Sequence, residues 1–261
     1  MSGNDDERFA ALTATGIQLT PEETSRPAFR HDYGTHPDQF VEVIGDPGTA
    51  SATVVLVHGG YFRERTNLAH ARPMADALAE AGALCVLVEY RRAGGQPNCL
   101  DDVTTAIDGA IASLPEWGVN EQARAELVVA GHSAGGCLVL AWASHLAEAG
   151  PGIRLRPLAP VTDLFREVAD GLGEGAVLDY MGVRPEDDLA AYLREDPRSR
   201  AVLIPDRVDL RIVHGDADRT VDVEFARAFP APVSILGGAT HADLIDPASS
   251  HFATVAEALL S

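Results

Sequence analysis

Cysteine is too sparse in this chain to staple it. Cys85, Cys99 and Cys137 are the only three. They form no CxxC pair, so neither a disulfide framework nor a zinc site is expected, and reduced thiols are the default. Positive charge is also short: 20 basic residues stand against 39 acidic ones, a formal net charge of −19. Such a surface repels a phosphate backbone or an anionic bilayer, so neither nucleic acid nor a membrane is an expected partner. The acidity itself has two readings, solubility in a crowded or salty cytoplasm and attraction of cationic substrates. No apolar run approaches the roughly 18 residues of a membrane span. The opening MSGNDDERFAALTATG carries acidic residues where a secretory signal needs a basic region. A cytoplasmic location is expected. No internal repeat or low-complexity segment stands out.

What the chain does have is the composition and rhythm of a globular α/β domain. Its 261 residues, 46% hydrophobic and 23% charged, suit one domain with a sizeable core. From residue 40 onward, β-branched runs alternate with longer Ala-rich stretches, the pattern of parallel strands joined by crossover helices. The clearest strands are 53–57, 84–90, 126–130 and 208–213. They are almost continuously apolar, so helices should cover both faces of a mostly parallel sheet. Apolar residues recurring at three or four predict helices over 67–81, 100–114, 134–149, 221–228 and 247–260. Asn67 is placed to cap the first, and Gly82 sits just beyond its end. Residues 1–30 read as a polar leader with some helical character, leaving 31–261 as the main domain. Within it, Asp163 to Pro205 breaks the strand rhythm, as either a small cap over a pocket or a solvated helical connection.

The strongest chemical signal is Gly131-His132-Ser133-Ala134-Gly135, a G-x-S-x-G between the strand ELVVA and a helical stretch. A nucleophilic serine needs such a tight strand-to-helix turn, with small neighbours that let a strained backbone pass and leave the hydroxyl exposed. The helix N-terminus behind it favours developing negative charge. The competing reading, a glycine-rich turn with an inert serine, loses ground to the flanking strand and helix. A second loop, His58-Gly59-Gly60-Tyr61, follows the strand TVVLV. There the backbone N–H groups of Gly60 and Tyr61, joined by that of Ala134, would bind an oxyanion. His58 reads as a residue that orients this loop.

The elbow architecture runs nucleophile, acid, base along the chain. His31, His36, His58 and His70 precede the serine, and His132 is excluded by geometry. His145 belongs to the helix after the elbow, His214 closes a strand and His251 lies in the final helix. His241 remains, in a loop after the strand PVSIL from which an imidazole can reach a serine hydroxyl. For the acid, HGDADRTV offers Asp218 first and Asp216 second. Either carboxylate would fix the imidazole tautomer and stabilise its cation.

Together GHSAGG, HGGY, HGDADRTV and HADLIDP resemble the esterase and kynurenine formamidase (arylformamidase) branch of the α/β-hydrolases, over roughly residues 53 to 250. The resemblance implies an α/β-hydrolase fold with a small cap-like insertion, and a serine hydrolase acting on a small ester or aryl formamide. In that branch the acid sits in an HG-x-x-D-x-x-V pattern, which here selects Asp218. Phe62 stands where the formamidase loop has Trp, and Tyr61 and Phe62 are expected to border the substrate. The segment Tyr90-Arg91, followed by Pro97 and Asp102, is similar to hormone-sensitive-lipase-like esterases. Arg91 and Asp102 read as an ion-paired scaffold, and Asp163 as a helix cap. The expected catalytic set is thus Ser133, His241 and Asp218, with no metal or organic cofactor and a small molecule as partner. An acyltransferase or cyclase using the same triad, and a ligand-binding protein that has kept it, are the alternative readings.

Overall fold

The computed structural model describes residues 3–92 and 98–260, so Pro97 lies outside the described residues. Its strands are β1 (Ala28–Asp32), β2 (Phe40–Ile44), β3 (Ala52–Val57), β4 (Ala83–Val88) and β5 (Leu127–His132). They continue with β6 (Ile153–Leu158), β7 (Val208–Leu210), β8 (Ile212–Gly215) and β9 (Val233–Leu236). The sheet order is β1-β2-β4-β3-β5-β6-β8-β9, with β7 also paired to β6. Only β1–β2 and β2–β4 are antiparallel; the other pairs are parallel.

Around it lie α1 (Gly3–Ile17), α2 (Arg72–Glu80), α3 (Asn98–Ser113), α4 (Glu121–Ala125) and α5 (Ala134–Ala143). After β6 come α6 (Leu164–Ala169), α7 (Ala176–Met181), α8 (Leu189–Glu195) and α9 (Pro197–Arg200). The last two are α10 (Glu224–Ala228) and α11 (Phe252–Leu260).

Every residue of β3, β4 and β5 is buried, which explains their unbroken apolar runs. Successive side chains of a strand point to opposite faces, and two cores follow. Val55, Val57, Val86 and Val129 meet Val103, Ile107, Leu138 and Trp142 of α3 and α5. Val54, Leu56, Leu87 and Val128 meet Met74 and Leu78 of α2 and Val255 and Leu259 of α11. Among the described residues no helix is long and apolar enough to cross a membrane.

Several boundaries differ from the sequence pattern for local reasons. The run 208–213 is two strands, broken at Arg211, whose N–H bonds to Leu155 O at 3.0 Å. The helix after the elbow stops at Ala143, where Ser144 Oγ turns back to Ala141 O at 2.6 Å and Arg200 reaches Ser144. Asn67 caps a short 3₁₀ turn by accepting from Ala69 N at 3.0 Å, and α2 proper begins at Arg72. The final helix starts at Phe252, because Asp246 and Ser249 bind the preceding backbone as turns.

Residues 1–30 differ most from the expected leader. β1 runs across residue 30 and pairs with β2, so no boundary falls there. Helix α1 is docked: Leu12 is buried in the core, and Arg8 bonds Asp243 at 2.8 Å and Asp246 at 2.6 Å. Thr240 Oγ1 donates to Asp5 Oδ1 at 2.7 Å. A Cβ on Gly16 would stand 1.7 Å from the carbonyl oxygen of Ala69.

That contact separates two glycine substitutions. Gly16→Ala must push α1 off the 3₁₀ turn and is expected to cost about 1–3 kcal/mol by overpacking. Gly109→Ala, on the exposed side of α3 with nothing within 4 Å, should gain about 0.5–1 kcal/mol from helix propensity. Urea unfolding of both variants measures the difference; shifts of the same sign would show that α1 is not packed as described.

Candidate active site

The elbow is built by backbone packing. Ser133 has φ 56° and ψ −118°, a left-handed conformation that non-glycine residues hold only when their surroundings over-determine it. Its N–H donates to Leu158 O at 2.9 Å, and its carbonyl accepts from Cys137 N at 3.1 Å. A Cβ on Gly131 would lie 2.3 Å from Gly135 O, and one on Gly135 would lie 2.2 Å from Val57 O. Both glycines of the motif are therefore sterically required. Ser133 occupies the N-cap position of α5 without its side chain capping the helix, so the hydroxyl is left unspent.

The structure brings His241 and Asp218 together. His241 Nδ1 and Asp218 Oδ2 are 2.6 Å apart, and both residues are buried. Asp218 Oδ1 accepts from Thr220 N at 2.8 Å and Val221 N at 2.9 Å, while His214 Nε2 stands 3.3 Å from Oδ2. Burial alone would raise the Asp218 carboxyl; the His241 and His214 contacts and the Val221 N–H outweigh it and hold it well below the usual carboxylate range. An ionised Asp218 accepts a hydrogen bond from Nδ1–H, which keeps the proton there and leaves Nε2 as the basic nitrogen. Asp216 is elsewhere, accepting from Gly238 N at 2.6 Å. Ser133 and His241 line one cavity without a direct hydrogen bond between them among the described residues. Such bonds in unliganded sites tighten when substrate arrives.

Gly60, Tyr61 and Ala134 face the same serine. Gly60 and Tyr61 line its main cavity and Ala134 a smaller one beside it. Gly60 has φ +123°, and Tyr61 and Phe62 follow at 58° and 57°, so the loop doubles back with its peptide groups turned. The Ala134 N–H heads α5 and has no intrahelical acceptor. Phe62 also lines the smaller cavity, but one face of its buried ring is stacked on Tyr180 at 4.4 Å and 8°. Only the remainder of the ring can meet a substrate.

His58 braces this loop from below. Its ring is fully buried, 2.6 Å from Gly59 O and 2.9 Å from Glu89 Oε1, and stacked on Tyr90. Glu89 also accepts from Leu68 N at 2.9 Å. Burial, with Arg92 adding to it, pushes the His58 imidazole down to about 3, and burial likewise holds His70 at about 3. His132 is lowered as well, chiefly by burial; its Nε2 donates to His241 O at 3.1 Å and fixes the backbone at His241. Arg91 and Asp102 form the expected ion pair at 2.6 Å, and Asp163 caps α6 through Arg166 N at 2.8 Å.

Three contributors escaped sequence reasoning. Gly59 is one: a Cβ there would meet Ser133 Cβ at 3.0 Å. Glu89 had a signal, a carboxylate closing an apolar strand. Helix α1 had none. Its Asp6, Phe9, Ala10 and Thr13 wall the main cavity of about 670 Å³, and the Phe9 ring lies about 6 Å from those of His70, His132 and His241. From the segment 163–205, Glu174 reaches the main cavity and Glu167 the smaller one.

Among solved structures, the chain is similar to a thioesterase candidate from Silicibacter sp. TM1040, at 20% identity over 96% of this chain and 93% of that one, TM-score 0.70. It is also similar to an arylesterase, at 18% identity over 96% and 89% of the two chains, TM-score 0.66. A thermophilic esterase from Thermogutta terrifontis, with propionate bound, shares 20% identity over 89% and 90%, TM-score 0.60. At these identities the likeness is one of fold. No curated protein sequence matches the chain significantly. The profile of the α/β-hydrolase fold family matches residues 54–204, more than half of the chain, including the HGGY loop and the elbow. By that match, over a sheet order and serine elbow already described, this chain belongs to the α/β-hydrolase fold family.

Proposed function

We propose that the chain is a serine hydrolase that cleaves a small ester or an aryl formamide through an acyl-enzyme on Ser133. The observation that carries this reading is the 2.6 Å bond between His241 and Asp218, set on the wall of a cavity shared with an uncapped, strained serine. The resemblance of its motifs to esterases and kynurenine formamidases supplies the substrate class. A cavity of about 670 Å³ lies within the range that holds a small ligand.

In the proposed cycle, Ser133 Oγ attacks the substrate carbonyl while His241 Nε2 takes its proton. The negative charge passes to the carbonyl oxygen, where N–H groups of Gly60, Tyr61 and Ala134 receive it. Collapse of the tetrahedral intermediate expels the alcohol or amine, which takes the proton from His241. Water then attacks the acyl-enzyme, giving its proton to His241, and the regenerated serine releases the acid. Asp218 stays ionised throughout and stabilises the imidazolium.

Three outcomes test this. An organophosphonate should label the protein covalently at Ser133, with mass spectrometry locating the adduct; adduct persisting in Ser133→Ala would refute the assignment. One structural neighbour, the Thermogutta esterase, is described as phosphoramylated by tabun, a reaction of the same kind.

Asp218→Asn should lower kcat by about 10⁴-fold, because the wrong His241 tautomer is then favoured. Asp216→Asn, whose carboxylate bonds only Gly238 N among the described residues, should change it by less than about threefold. A larger effect from Asp216→Asn in folded protein would overturn the choice of acid.

Across substrates, kcat/KM for p-nitrophenyl acetate and N-formylkynurenine should exceed that for an aminoacyl anilide, since an extended peptide needs a longer groove. Preference for the anilide would make the protein a peptidase instead.

A further inference from the structure

Beside the main cavity, on the Ala134 side of Ser133, lies a side cavity of about 20 Å³. That is room for one or two non-hydrogen atoms. Phe62, Val161, Val177 and Val221 make most of its wall apolar, and Glu167 is its one charged side chain among the described residues. Glu167 comes from α6. A Cβ on Gly173 would lie 3.0 Å from its Oε2 and 3.8 Å from the Tyr61 ring, which places the carboxylate at the cavity edge beside the HGGY loop.

Glu167 is 5% exposed, and among the described residues its carboxylate has neither an ion pair nor a hydrogen bond. Other buried acids of this region are satisfied. Glu195 accepts from Tyr180 Oη at 2.6 Å and pairs with Arg194 at 2.9 Å. Asp196 accepts from Leu164 N and Ser199 N, both at 2.7 Å. Arg166, the cation next to Glu167 in sequence, is turned to Asp170 and lies over the Phe225 ring. A carboxylate so enclosed and without a protein donor must take one from water or a ligand, and this one lines the cavity beside Ser133.

We infer that Glu167 is a specificity-determining residue that accepts a hydrogen bond from a hydroxyl on the α-carbon of a short acyl group. The enzyme would then select α-hydroxyacyl esters of the glycolyl type over alkyl acyl groups of the same size. This inference rests on the reading of Ser133 as the acyl acceptor. The acyl side belongs in the small cavity because the larger leaving group fits only the larger one. A cavity of about 20 Å³ admits the α-carbon and one further non-hydrogen atom, and Glu167 is its one charged side chain among the described residues.

Burial pushes the Glu167 carboxyl up to about 7, with Asp170 and Asp163 adding to the rise and Arg166 opposing it. Tyr61 from the HGGY loop and Cys137 from α5 also feel its charge. Below that value Glu167 is a neutral acid. Above it the carboxylate accepts more strongly from a hydroxyl and disfavours an apolar methyl in the same place.

The test compares p-nitrophenyl glycolate with its isostere p-nitrophenyl propionate, using p-nitrophenyl acetate as the reference ester. The wild-type chain should show a glycolate-to-propionate ratio of kcat/KM of about ten or more, rising as pH passes 7. Any pH effect common to the two esters cancels in the ratio. Glu167→Leu should bring the ratio below one. Glu167→Gln, which keeps an acceptor oxygen, should retain a preference that no longer varies with pH. A wild-type ratio near one while acetate is still hydrolysed would overturn the role of Glu167 and leave the serine-hydrolase reading standing. So would a ratio unchanged in both variants. Absence of hydrolysis of all three esters, together with no phosphonate adduct, would remove both.

Discussion

Where the ends of β3 and β5 lie side by side, the backbone passes closer to itself than any side chain permits. Gly131 and Gly135 face the carbonyls of Gly135, Val57 and His58 at distances that a methyl group would violate, and Gly59 approaches the serine from the neighbouring strand end. Ser133 is consequently held in a left-handed conformation by two parallel strands and the first turn of α5. The parallel register of β3 on β5, pairing Val57 with Gly131, sets the HGGY loop beside the elbow. The HGGY loop and the serine elbow are thus products of one strand pairing. The strain is carried by a core buried on both faces of the sheet.

The electrostatics follow from burial as much as from charge. His58, His70 and His132 sit around the serine and are kept neutral by desolvation, so they serve as fixed hydrogen-bonding groups. His241 differs from them by having an ionised carboxylate on Nδ1. Asp218 can remain charged at that depth because backbone N–H groups and two imidazoles surround it. His58 also meets a carboxylate, that of Glu89 on its Nε2; His241 meets Asp218 on Nδ1, which leaves its Nε2 without a hydrogen bond among the described residues.

Much of this was legible in the sequence, and for identifiable reasons. Parallel strands buried on both faces announce themselves as apolar runs, and the elbow needs glycine at fixed spacing, so Ser133 and its loop could be placed. Chain order and elimination pointed to His241, and a family pattern to Asp218 over Asp216; the two side chains meet at 2.6 Å. What stayed hidden depended on long-range docking. Nothing in GNDDERFAALTATG marks Phe9 as a wall of the cavity, since its ring neighbours, His70, His132 and His241, are 61 to 232 positions away. β1, β2 and β9 are short strands at or near the sheet edges, with only five, five and four residues to carry a pattern. Helix ends at Ala143 and Phe252 were set by side-chain bonds of Ser144, Asp246 and Ser249, which leave no trace in hydrophobic periodicity.

The docking of α1 also fixes an order of assembly. Arg8 is 238 residues from Asp246, its partner, and a contact of that separation closes a loop of nearly the whole chain. On the ribosome, synthesis proceeds from the N-terminus, so α1 emerges long before its anchors exist. Until residues 240–246 have been made, neither Arg8 nor Asp5 has anything to hold. Gly16 can pack on Ala69 and Phe9 beside His70 as soon as residues 68–72 exist, but the polar lock on this helix closes only after the strands, the elbow and the His241 loop have been made.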